Sequence, residues 1–151
     1  MHKKIAMIAL VGLPVLALAS GNHEGGHDTG YGKAGEAPKV SRTIQVTMDD
    51  TMRFTPSQIS VKAGETVRFF VKNSGQLPHE MVIGPMVALK EHAEMMRKMP
   101  GMKHAEPNMV TLKPGQRGGI IWQFSHAGNV DFACLVPGHL EAGMVGQIHV
   151  E

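Results

Sequence analysis

Between Ser41 and Glu151, turn signals cut the chain into short extended stretches, and that punctuation restricts the fold more than any other feature. Thr43-Ile44-Gln45-Val46-Thr47-Met48 alternates polar and apolar residues with a period of two, which sends one face of a strand into a core and the other into water. Asp49-Asp50 reads as a turn. Phe54, Ile59 and Val61 follow, with Pro56 confining that segment to an edge or an irregular entry. Residues 66–72 and 80–83 form two more strands, stopped by Asn73-Ser74-Gly75 and Gly84-Pro85. The same character returns at 109–112, 118–124, 130–134 and 146–150, where Trp122 alternates with Ile120 and Phe124 on one core face. Seven or eight short strands with regularly spaced turns predict an all-β fold, an antiparallel Greek-key β-sandwich or flattened barrel. The domain is expected to span 41–151.

One segment departs from this pattern. Residues 85–99 contain helix formers and no glycine, Pro85 stands where a helix can start, and Pro100-Gly101 stops it. A single methionine-rich helix with a trailing loop is therefore expected as an insertion over about 85–108.

The N-terminus has the marks of a secretory signal peptide. His2, Lys3 and Lys4 precede an apolar run, and Ala17-Leu18-Ala19 is a small-x-small cleavage site. The run is shorter than the roughly 18 residues of a spanning helix, so export without a membrane anchor is expected, to the periplasm. Cleavage after residue 19 leaves 132 residues, and loss of Lys3 and Lys4 takes the formal charge from +2 to 0. No basic run remains, which argues against a nucleic-acid partner. Residues 20–40 are polar and glycine-rich without apolar periodicity, and read as a disordered tail. His23 and His27 there could capture metal.

Export gives the single cysteine its meaning. Oxidising compartments favour paired cysteines, and Cys134 has no partner in the chain. It opens the stretch Cys134-Leu135-Val136-Pro137-Gly138-His139-Leu140-Glu141-Ala142-Gly143-Met144, and a second imidazole stands upstream at Pro78-His79-Glu80. A thiolate, two imidazoles and a thioether are the donors of a trigonal His₂Cys copper site with a weak axial Met. Taken singly, each of the four is more simply a packing or surface residue; it is their joint order that points to a metal. His126 and His149 are read as solvent-facing.

The segments Asn73-Ser74-Gly75, Pro78-His79-Glu80, Phe132-Ala133-Cys134, Pro137-Gly138-His139 and Gly143-Met144-Val145-Gly146 resemble the cupredoxin family of plastocyanin, azurin, rusticyanin and auracyanin. With the Met- and His-bearing insertion, the chain is most similar in its features to exported copper-tolerance cupredoxins of the CopI type. The resemblance implies one type 1 copper held by His79, Cys134, His139 and axial Met144. It also implies backbone N–H donors to the sulfur at Glu80 and Val136. A carboxylate at Glu80, if directed at the centre rather than solvent, would favour Cu(II). The implied role is copper tolerance with one-electron redox capability, the alternative being a soluble electron shuttle. The implied partners are copper ions and a redox protein such as a cytochrome or copper oxidase, the protein itself being a monomer. Multicopper enzymes need a second domain and further His ligands, so no enzymatic activity beyond Cu(I) oxidation is expected.

Seven methionines lie between 81 and 109. On a helix, His92, Met95, Met96 and Met99 share an arc of roughly 100°, with Met102 and His104 just beyond. This soft donor set suits a second, cuprous site; the alternative is an apolar face packed on the barrel.

Overall fold

The computed structural model describes residues 29–103 and 105–151. Ten strands and one α-helix occur among them: β1 (Lys33–Ala34), β2 (Arg42–Asp49), β3 (Arg53–Thr55), β4 (Gln58–Val61), β5 (Thr66–Asn73), β6 (His79–Gly84), α1 (Met86–Lys98), β7 (Met109–Leu112), β8 (Arg117–Gln123), β9 (Gly128–Ala133) and β10 (Val145–Val150). They form two five-stranded sheets, β1-β8-β5-β2-β3 and β4-β10-β9-β6-β7.

Two expectations need correction. The sheets are mixed rather than antiparallel throughout: β2 runs parallel to β5 with Ile44 opposite Phe69, and β4 parallel to β10 with Ile59 opposite Ile148. Side-chain alternation reports which face is buried but not the direction of the neighbouring strand. The count is ten because the segment around Pro56 splits into β3 and β4, each the edge strand of a different sheet, and because part of the expected tail is ordered. Lys33 and Ala34 pair with Gln123 and Trp122. Tyr31 stacks on Trp122 with ring centroids 5.7 Å apart, and the indole Nε1–H donates to the Tyr31 carbonyl (3.2 Å). The expected signal peptide, His23 and His27 lie outside the described residues.

The inward faces meet in one core. Val46, Met48, Phe69, Val71, Ile120, Trp122 and Phe124 come from one side, and Met81, Ile83, Phe132, Ile148 and Val150 from the other. Gly146 lies opposite Phe132, and a Cβ there would fall 2.1 Å from the ring. Gly146→Ala must displace a fully buried aromatic, and is expected to cost about 1–3 kcal/mol as overpacking, read as a lowered denaturant midpoint.

Helix α1 rests on the outer face of the second sheet. Leu89 and Ala93, one turn apart, are its buried residues, seated on Val82, Ala133 and Leu135 with Met86, Met109, Leu140 and Val145 around them. This cover explains why β6 is buried at all six positions instead of alternating. The helix therefore packs through Leu89 and Ala93, while Met95 and Met96 are half-buried and Met99 is exposed.

Glu65 fastens the β4–β5 turn to the start of β2. Its carboxylate accepts from Arg42 Nε (2.8 Å), the Lys62 N–H (2.8 Å) and Ser41 Oγ (2.8 Å). These contacts, the Arg42 hydrogen bond first, hold its pKa at about 2 against an ordinary 4.5. The folded pKa lies below the unfolded one, so the contribution is complete above pH 4.5 and fades as pH falls toward 2. Glu65→Gln is expected to flatten the pH dependence of stability in that window, read from urea midpoints.

Candidate copper centre

The chain places its donors at one end of the sandwich by two local devices. The first is the turn from β5 into β6. Asn73 closes β5, fully buried, and donates through Nδ2 to the carbonyls of Leu77 (2.8 Å) and Leu112 (3.1 Å) while its Oδ1 accepts from the Gly75 N–H (2.9 Å). Asp50, from the β2–β3 turn, accepts from the N–H groups of Gln76 (2.7 Å) and Leu77 (3.2 Å). These contacts fix the segment that delivers His79 as the first residue of β6.

The second device is the loop between β9 and β10. The Cys134 N–H donates to the Met144 carbonyl (3.1 Å), the Met144 N–H to the His139 carbonyl (3.0 Å), and the His139 N–H to the Val136 carbonyl (3.0 Å). Three prospective ligands are thus tied to one another through their own backbones. Gly138 and Gly143, both at φ +88°, supply the left-handed corners.

The result is a tight cluster. Ligand atoms of His79, Cys134 and His139 all lie within 4.8 Å of one another, and all three residues are buried. Nδ1 of His79 is 3.9 Å from the Cys134 sulfur and Nδ1 of His139 is 3.3 Å from it. A trigonal ion at ordinary first-row distances, about 2.0 Å to nitrogen and 2.3 Å to sulfur, requires N···S separations of about 3.7 Å. The observed pair brackets that value, so the three donors fit a metal with only small adjustment. Met144 is fully buried beside them.

Sequence reasoning missed Asp50. Its Oδ1 lies 2.9 Å from His79 Nε2. Because the carboxylate accepts, Nε2 carries the proton and Nδ1 presents its lone pair toward the sulfur, the carboxylate–histidine arrangement that orients a metal ligand. Hydrogen bonds from Gln76 and then from His79 lower the Asp50 pKa, which keeps it ionised. An acid within a turn carries no sequence signal that separates this role from ordinary turn chemistry.

The sulfur has two amide donors. The Glu80 N–H lies 3.4 Å from Sγ, and the Val136 N–H is the second. Burial outweighs both and pushes the thiol up to about 12. Burial, then repulsion from His79, lowers the His139 pKa and favours the neutral ligating form. Metal must therefore displace a thiol proton. Between pH 5 and 8, copper affinity is expected to weaken about tenfold per unit fall in pH through this proton alone, measured by competition with a chelator of known pH dependence.

The Glu80 side chain is buried, not directed to solvent; its Oε2 accepts from Thr111 Oγ1 (3.1 Å). Of the insertion residues, Met96 and Met102 line a cavity with Glu80, whereas His92, Met95 and Met99 are not among its lining residues. His104 lies outside the described residues. His126 and His149 are both exposed.

Known proteins resemble this chain in sequence and in fold. The profile of the copper binding proteins of the plastocyanin/azurin family matches residues 40–151. A copper-resistant cuproprotein CopI of Rubrivivax gelatinosus is 52% identical over 132 residues, covering 85% of this chain and 80% of the relative. A protein of the same description from Pseudomonas aeruginosa is 35% identical over 178 residues, covering 99% and 98%. Among solved structures, auracyanin B superposes with a TM-score of 0.65 at 21% identity over 80% of this chain and 96% of its own. The reduced auracyanin of Roseiflexus castenholzii gives 0.63 at 24% identity, over 74% and 98%. A sandwich that gathers two imidazoles on a buried thiol, in a chain matched from residue 40 to its last residue by that profile, belongs to the plastocyanin/azurin family of copper-binding proteins.

Proposed function

We propose that this protein handles copper outside the cytoplasm, through a type 1 centre held by His79, Cys134, His139 and axial Met144, and that it serves copper tolerance. The observation that carries this reading is the convergence of two imidazole Nδ1 atoms on one buried sulfur. Copper bound by such a set supplies a Cu(I)/Cu(II) couple, since imidazole suits both states and sulfur the reduced one. Asp50 and the Glu80 and Val136 amides keep the ligands in place whether or not metal is bound, which limits rearrangement between the two states. The leader at residues 1–19 supports a periplasmic location, and the relatives named as copper-resistant cuproproteins support tolerance as the role. The histidines of residues 20–40 would add capture capacity. We assign no catalytic residues.

Deleting the gene should render cells copper-sensitive, with rescue by the wild-type gene and not by Cys134→Ser. Growth unchanged across copper concentrations would reject the tolerance role.

An electron-shuttle reading has one observation of its own. His139 is 8% exposed and follows the exposed Pro137 and Gly138, which places a ligand just beneath the surface as a short path for an electron. Rapid exchange with a co-expressed cytochrome would favour that reading, and slow exchange with every candidate would oppose it.

A further inference from the structure

Beside the ligand cluster lies a cavity of about 290 Å³, lined by Glu80, Met96, Met102, Lys103, Met109, Thr111, Val136 and Pro137. Three of these eight residues are methionines, and they come from three elements: Met96 from α1, Met102 from the loop after it, and Met109 from the start of β7. Their burial sets them apart from core methionines. Met48, Met81 and Met144 are fully buried, whereas Met96 and Met109 are half-buried and Met102 is 37% exposed. The helix is seated through Leu89 and Ala93, with Met109 packed at the margin of that cluster, and neither Met96 nor Met102 belongs to it. Met96 and Met102 thus edge an accessible recess, and Met109 borders both the recess and the helix cluster.

Thioether sulfur is a soft donor that selects Cu(I) over hard or oxidised ions. The one carboxylate in the wall, Glu80, is buried and accepts from Thr111 Oγ1, which adds an oxygen to the lining beside the thioethers. Lys103 in the rim opposes a cation, but it is exposed and can turn to solvent. Glu80 and Val136 also provide the two amides that face the Cys134 sulfur, so the same two residues wall the cavity and flank the ligand cluster.

We infer that Met96, Met102 and Met109 hold a second copper ion, as Cu(I), in this cavity next to the first centre. This inference rests on the reading of the protein as a copper handler. It departs from the helical arc of His92, Met95, Met96 and Met99 by taking only Met96 from it and by adding Met109 from a strand.

The test is anaerobic titration of the mature, fully reduced holoprotein with Cu(I) against a chromophoric cuprous chelator, with a reoxidised aliquot checked for the sulfur-to-copper absorption of the first centre. The wild type should bind one cuprous equivalent more than the triple variant Met96→Leu/Met102→Leu/Met109→Leu. Leu for Met conserves volume well enough to keep the fold. Each single change should weaken that equivalent at least tenfold. Met95→Leu/Met99→Leu should leave it unchanged, and Cys134→Ser should retain it. Equal stoichiometry and affinity in wild type and triple variant would overturn the inference, as would an equal loss in Met95→Leu/Met99→Leu. If the triple variant itself is unfolded, the three single variants decide on the same criterion. Failure of the reoxidised wild type to show the sulfur-to-copper band would instead remove the first centre and the copper-handling reading with it, so the two failures are separable.

Discussion

Replacing Cys134 by Ser is expected to abolish sulfur-to-copper charge transfer and to weaken copper binding by more than the ~100-fold at the upper end for an outer-sphere partner, because a bonding ligand is lost outright. Cys134 is fully buried, takes two amide hydrogen bonds, and is the atom on which both Nδ1 atoms converge. Serine keeps the volume nearly constant, so the apoprotein should fold with similar stability and the effect should appear only with metal. Ligand binding to the native state adds RT ln(1 + [L]/Kd), about 2.7 kcal/mol at a hundredfold excess over Kd. Thermal unfolding with and without copper should therefore show a large shift in the wild type that is nearly absent in the variant. An equal shift in both proteins would mean that copper binds elsewhere.

The second large effect is expected at Asp50. Its carboxylate accepts from His79 Nε2–H and supplies negative charge close to the ligand cluster, which favours Cu(II) over Cu(I). Asp50→Asn retains an acceptor oxygen for His79 Nε2–H but removes the charge. A differential loss of about 1.4 kcal/mol corresponds to a rise of about 60 mV in a one-electron couple. Asp50→Ala should also loosen the Gln76–Leu77 turn and cost 10–100-fold in copper affinity. Voltammetry of both variants separates charge from positioning: a potential unmoved in Asp50→Asn would show that Asp50 acts only as a brace.

The difference between Cys134 and Asp50 shows what a sequence of this kind reveals. The loop from Cys134 to Met144 was legible because rare donor types recur there at short spacing and a lone thiol in a chain read as exported demands a reason. His79 was legible through its setting in a resembling segment. Asp50 lies 29 residues from His79, and the parallel pairing of β2 with β5 brings its turn to the start of β6. That pairing leaves no mark on alternation. Strand positions follow from period two, and Trp122, Phe124 and Ile120 share a buried face as their spacing requires. Strand β1 was hidden because two residues in a glycine-rich segment have no periodicity; its order comes from the Tyr31–Trp122 stack, and a lone tyrosine was the only hint. On α1 the methionine stripe drew attention from the shorter Leu89–Ala93 pair, which sets the helix on Val82 and Ala133.

Optical and EPR spectroscopy of the Cu(II)-loaded wild-type protein tests the central claim most directly. Two imidazoles and one thiolate around a single ion predict an intense visible sulfur-to-copper band and an unusually narrow copper hyperfine splitting. Weak d–d absorption with the wide splitting of a nitrogen- and oxygen-ligated ion would contradict a centre built on Cys134.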